Sequence, residues 1–174
     1  MRNRIEPDFD TAEQRYPEVL QLILAYTDFC DENGDEDMIE YKQLEIKLNE
    51  ITGKDMSAFD LWEWWEGEGV ENLAFNICLP EPVAVDHLTK EELTEIVRRL
   101  MTFDIPDPED KTFNSQFYNY VCFGNDFYHK LLKMSGIEYD NQLFQSHKDK
   151  EGNYFEYSQE EIIDQLWAGR KIIH

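Results

Sequence analysis

The segment TKEELTEIVRRLM, Thr89–Met101, reads as an amphipathic helix that carries its own start signal. Thr89 and Glu92 have the spacing of a capping box, in which each side chain satisfies a backbone N–H of the other residue. Leu93, Ile96, Val97, Leu100 and Met101 then recur at helical spacing on one face. The same grammar returns near the end of the chain. Ser158 and Glu161 form a second capping box, Ile162, Ile163, Leu166 and Trp167 supply the apolar face, and Gly169 supplies the stop.

Outward from these two segments, most of the chain follows helical periodicity. Pro17–Cys30 is apolar around most of its circumference, which predicts a central helix with proline in its first turn, ending near Asn33-Gly34. Tyr41, Leu44, Leu48 and Ile51 mark one face of a second helix over about 37–51, with Gly53 beyond it. Ser57 and Gly67 bracket a predicted third helix. Leu73–Leu79 is apolar but too short to assign to helix or strand. A further helix is expected over Ser115–Met134, with Gly124 as a break, and Leu143–His147 with Tyr154–Tyr157 flank a turn and read as a β-hairpin. DIPDPED, Asp104–Asp110, reads as a surface loop. The expectation is a mainly α (α+β) fold: a polar N-terminal arm over 1–15, then one helical acidic domain over 16–174. That domain would hold five to six helices and a small hairpin near the C-terminus.

Composition narrows the class of function. The 174 residues include 38 acids and 16 Lys or Arg, a net charge of −22, yet 41% are hydrophobic and 14% aromatic. That is too apolar for acidity-driven disorder and indicates a packed core beneath an anionic surface. Such a surface repels nucleic acid and anionic membranes and favours cationic partners. The charge is lopsided: residues 1–87 carry 22 acids and 6 bases, residues 88–174 carry 16 and 10. Cys30, Cys78 and Cys122 form no CxxC pair or disulfide framework, the start has no apolar signal region, and no segment is long enough to span a membrane. A cytoplasmic protein is expected.

Two acidic segments stand out. Asp28, Asp31, Glu32, Asp35, Glu36, Asp37 and Glu40 place seven acids in thirteen residues without a base. With Gly34 as the loop glycine, FCDENGDEDMIE resembles an EF-hand calcium loop, in which a cation takes several carboxylate and carbonyl oxygens. The resemblance departs at Phe29, where an oxygen ligand belongs, and at Glu36, where an apolar residue belongs. A solvated acidic loop is expected, with no metal. The second segment is DLWEWWEGEGVE, Asp60–Glu71, with five acids and three tryptophans. On a helix, Leu61, Trp62 and Trp65 would face the core and Trp64 would point away. Aromatic anchors ringed by acids suit recognition of a basic surface.

Other constellations are thin. Asp126-x-x-His129 could present two ligands on one helical face, but no zinc spacing accompanies it, and His87, His147 and His174 stand apart. Arg98-Arg99 is too little for a nucleic-acid surface. No catalytic signature and no cofactor-binding motif is present, so neither is expected. In general character the chain is similar to bacterial immunity proteins and other inhibitors of nucleases or nucleic-acid-binding proteins: small, acidic and without catalytic motifs. That resemblance implies capture of a basic protein, such as a toxin, a nuclease or a nucleic-acid-binding protein. Asp31, Glu32, Asp35, Glu36, Asp37, Glu63, Glu66 and Glu68 would supply charge and Trp64 an anchor. An acidic adaptor or regulatory subunit and a carboxylate-based hydrolase are the alternative classes.

Overall fold

A computed structural model describes residues 5–104, 107 and 109–170. The protein is mainly helical, with a two-stranded hairpin near the C-terminus. Among the described residues the elements are α1 (Phe9–Asn33), α2 (Ile39–Thr52), α3 (Val70–Cys78), α4 (Lys90–Met101), α5 (Phe113–Phe123), α6 (Phe127–Met134), β1 (His147–Lys148), β2 (Tyr154–Phe155) and α7 (Gln159–Ala168). None of these helices is long and apolar enough to cross a membrane. The chain divides into two compact units.

The acidic unit comprises Asp8–Pro80 and Thr112–Phe117. Its longest element, α1, begins at Phe9 rather than Pro17, so residues 9–15, expected as an arm, are its first two turns. The cause is local: the Asp8 carboxylate accepts from the Thr11 backbone N–H at 3.0 Å and caps the helix. Pro17 therefore lies inside α1. Val19, Ile23 and Tyr26 are buried, and α1 packs against α2 and α3. The α2 helix follows the expected face, with Leu44 and Leu48 buried, and ends on Gly53 in the left-handed conformation (φ 74°), which glycine adopts without a Cβ penalty.

The undecided apolar run near Leu73 is helical, as α3. By contrast, the helix predicted between Ser57 and Gly67 is absent, and two 3₁₀ turns, Met56–Ala58 and Trp64–Glu66, take its place. Asp55, not Ser57, caps the first turn. The Asp60 carboxylate then accepts from the backbone N–H groups of Trp62 (3.1 Å) and Glu63 (3.0 Å), a local bond that competes with the helical ladder. The unit's core is aromatic. Phe75 is fully buried, stacks on Phe117 at 4.3 Å and touches Phe9 and Phe113.

The other unit comprises Met1–Pro7, Glu81–Lys111 and Tyr118–His174. Both predicted capping boxes are formed, at the starts of α4 and α7, and these two helices pack together. Leu93, Ile96 and Val97 meet a core that includes Ile162 and Leu166, all fully or almost fully buried. Gly124 separates α5 from α6 as expected. A Cβ there would lie 2.5 Å from the Tyr120 ring, so no larger residue fits without a shift. The hairpin forms with His147 opposite Phe155 and Lys148 opposite Tyr154. It is shorter than expected because residues 141–144 enter a 3₁₀ turn capped by Asp140. Of the expected loop over Asp104–Asp110, residues 105, 106 and 108 lie outside the described residues, as do residues 1–4 of the expected arm and His174.

Arg99 organises this unit. It is 8% exposed and donates to Glu6 at 2.7 and 2.9 Å, to Glu95 at 2.8 Å and to the Tyr128 hydroxyl at 2.6 Å. The guanidinium fork permits this many directed bonds from one buried cation. Arg98 is engaged too, donating to both Glu95 oxygens at 2.9 and 3.0 Å, so both members of the pair read in sequence as an insufficient nucleic-acid contact are structural.

Candidate functional site

The candidate surface lies on the acidic unit, where the C-terminal half of α1 meets the loops on either side of α2. Tyr26 is the meeting point. Its buried ring stands edge-on to Tyr41 at 5.8 Å and to Trp62 at 6.0 Å, while its hydroxyl donates to Asp35 at 3.3 Å. One residue on, the Thr27 hydroxyl accepts from the Trp64 indole N–H at 3.1 Å. Two acidic segments separated by α2 in sequence are thereby brought to one helix.

Their acids have different fates. Asp35 is turned to internal use. The residue before α2, Met38, has a left-handed backbone (φ 54°) and offers no side-chain cap, a conformation that costs a non-glycine residue roughly 1–2 kcal/mol. Asp35 supplies the missing cap, accepting from the N–H groups of Ile39 (3.0 Å), Glu40 (3.3 Å) and Tyr41 (2.8 Å). Burial alone would lift its pKa, but these three N–H groups and the Tyr26 hydroxyl outweigh it and hold the carboxyl below its ordinary range. Glu68 is likewise engaged: both its oxygens accept from the Asn76 side-chain amide, while burial pushes its pKa up.

Asp31, Glu32, Glu36, Asp37, Glu63 and Glu66 are exposed, and none pairs with a cation among the described residues. Trp64 is partly buried and Trp62, 38% exposed, is the more open of the two. The helical wheel that set Trp64 outward does not apply, because the segment is not a helix. Leu61 does enter the core, at 0% exposure.

The calcium-loop register does not hold in space. Asp31 and Asn33 belong to the last turns of α1, and the Asp35 oxygens face the start of α2. Among the described residues no three His, Cys, Asp or Glu side chains gather where a metal ion could sit. Asp126 and His129 do approach, at 3.6 Å. The His129 ring stacks on Tyr139 at 4.2 Å with its Nε2 at 2.7 Å from the phenol oxygen, a packed histidine rather than an open ligand.

Comparison with protein families, curated proteins and solved structures finds no match to this chain.

The acidic unit contains nineteen Asp or Glu and four Lys or Arg, net −15, while the rest of the sequence carries nineteen and twelve, net −7. Two of the four bases already serve the C-terminal end of α3. Lys54 donates to the Asn76 carbonyl at 2.6 Å and Arg15 to the Cys78 carbonyl at 3.4 Å. Cations are favoured there because the last carbonyls of a helix carry partial negative charge. This capping role was missed in sequence, since Arg15 and Lys54 are remote from α3 along the chain.

Proposed function

We propose that the protein is an acidic binding protein that captures and neutralises a basic protein, in the manner of a toxin-immunity or nuclease-inhibitor protein. The supporting observation is the uncompensated charge of the acidic unit. Nineteen acids face four bases, two of those bases are drawn to α3 carbonyls, and Asp31, Glu32, Glu36, Asp37, Glu63 and Glu66 project without a paired cation among the described residues. An anionic surface of this kind accelerates encounter with a cationic groove and selects against acidic partners. Seated over a nuclease groove, it would occupy the path of the phosphate backbone. Trp62 and Trp64, anchored at Tyr26 and Thr27, provide aromatic area beside the charge.

The test is association with a panel of purified basic nucleases, followed by binding kinetics and residual nuclease activity. The expected result is inhibition by at least one member, with an association rate that falls about tenfold or more from low to high salt as the Debye length shrinks from ~10 Å at 0.1 M to ~3 Å at 1 M. Reversal of Asp31, Glu32, Glu36 and Asp37 to Lys should remove that rate advantage. Tight binding indifferent to both salt and charge reversal would favour an apolar adaptor surface instead.

A further inference from the structure

We infer that the exposed groove along α1 seats a cationic amphipathic helix of the partner. This rests on the binding reading above and names the form of the basic segment. This groove is shallow and lies on one face of α1 alone, with about 560 Å³ of open space beside Tyr16–Asp28 and Pro17, Leu20, Leu24 and Ala25 as its apolar floor. Pro17 and Ala25 are exposed and Leu24 is 39% exposed, so the floor is open to solvent. From Pro17 to Asp28 the helix rises about 16 Å, the length of three turns of a second helix lying alongside.

The charge around the floor fixes the chemistry of the occupant. Glu13 and Glu18 stand exposed at one end, and Asp28, Asp31 and Glu32 at the other. The one base on α1, Arg15, reaches to the Cys78 carbonyl. A neutral apolar helix would strip water from these carboxylates without replacing it, and an acidic one would be repelled. A helix with an apolar stripe flanked by Lys or Arg answers both features, in the helix-in-groove mode. An extended strand has no template here, because the described residues of the acidic unit contain no β-strand.

Calorimetric titration of the full chain at about 50 mM salt tests this with three synthetic peptides of about fourteen residues. One is a Lys/Leu sequence with Leu at helical i, i+3, i+4 spacing, one the same composition scrambled, and one a Glu/Leu counterpart. The amphipathic lysine peptide should bind at least tenfold more tightly than the scrambled one, and the Glu/Leu peptide should give no heat. Leu24→Lys and Ala25→Lys, each checked for wild-type helicity by circular dichroism, should weaken the first peptide tenfold or more. Equal binding of the two lysine peptides on the wild-type chain overturns the groove while leaving charge-based capture standing. Absence of binding by either lysine peptide, with basic nucleases still captured, also overturns it. Failure of both peptides and nucleases sinks the reading on which it rests.

Discussion

The indole N–H of Trp64 donates to the Thr27 hydroxyl across 3.1 Å and fastens the second acidic segment to α1. Thr27→Val preserves shape but removes this acceptor, together with the Thr27 hydroxyl's own bond to the Ile23 carbonyl. Stability should fall by about 1–2 kcal/mol, since each of the two bonds contributes roughly 0.5–1.5 kcal/mol net. Urea unfolding followed by tryptophan fluorescence reads the loss. A double-mutant cycle with Trp64→Phe should return a coupling of about 0.5–1 kcal/mol, and a coupling of zero would mean the contact is incidental.

Asp35 gives the acidic unit a pH dependence of definite sign. Its folded pKa is held below the ordinary 3.8, so its contribution is present at neutral pH and is lost as pH falls below 3.8 through the folded value. Asp35→Asn should lower stability at pH 7 and flatten the acid limb of the stability profile. Wild-type and variant profiles that stay parallel from pH 7 to pH 2 would contradict the capping role.

In the other unit, Arg99→Met should destabilise by about 3 kcal/mol. That is the low end of the range for breaking a buried ion pair, because Glu6 is 43% exposed and can rehydrate. Glu95 reports on the same cluster by titration. The hydrogen bond from Arg98, opposed by burial and reinforced by Arg99, holds it at about 2 against an ordinary 4.5. Its stabilisation is therefore complete above 4.5 and disappears as pH falls through 2. Carboxylate chemical shifts should place Glu95 among the last acids to protonate in the wild type and nearer its ordinary value in Arg99→Met.

Raising sodium chloride from 20 to 300 mM should raise the melting temperature. Screening weakens repulsion among acids that pair with no cation among the described residues. If screening restores about 1 kcal/mol, the rise should be about 2–4 °C for a chain of this size. Potassium chloride should act alike. A flat or falling trend would mean the acids are neutralised within the fold.

The parts legible in sequence were those whose signals are local. Thr89 with Glu92, Ser158 with Glu161, and Gly53 after α2 each announce a helix end within four residues, and each performs that role. The start of α1 was hidden because Pro17 is a strong start signal, although Asp8 and Thr11 carried the working cap. Residues 57–67 misled because Ser57 and Gly67 read as the cap and stop of a helix, whereas the Asp60 carboxylate diverts the backbone into turns. At the candidate surface, Asp35 and Asp31 look alike in a sequence. Only the bend of the chain at Met38 turns the first inward to α2 and leaves the second in solvent. The bonds of Arg99 to Glu6 and Tyr128, of Arg15 to Cys78 and of Lys54 to Asn76 reach partners tens of residues away, beyond any local pattern.

The stack of Phe117 on Phe75 has a consequence for biosynthesis. The acidic unit draws its last wall from Thr112–Phe117, after the whole of Glu81–Lys111 has been translated. At about 5–20 residues per second, the ribosome needs roughly 2–7 s to travel from Pro80 to Phe117. Until that interval has passed, Phe113 and Phe117, which pack on Phe75 in the finished fold, have not both joined the chain. The acidic unit is thus completed only once the ribosome has passed Phe117, and a product truncated at Pro80 would carry its charge without a closed core.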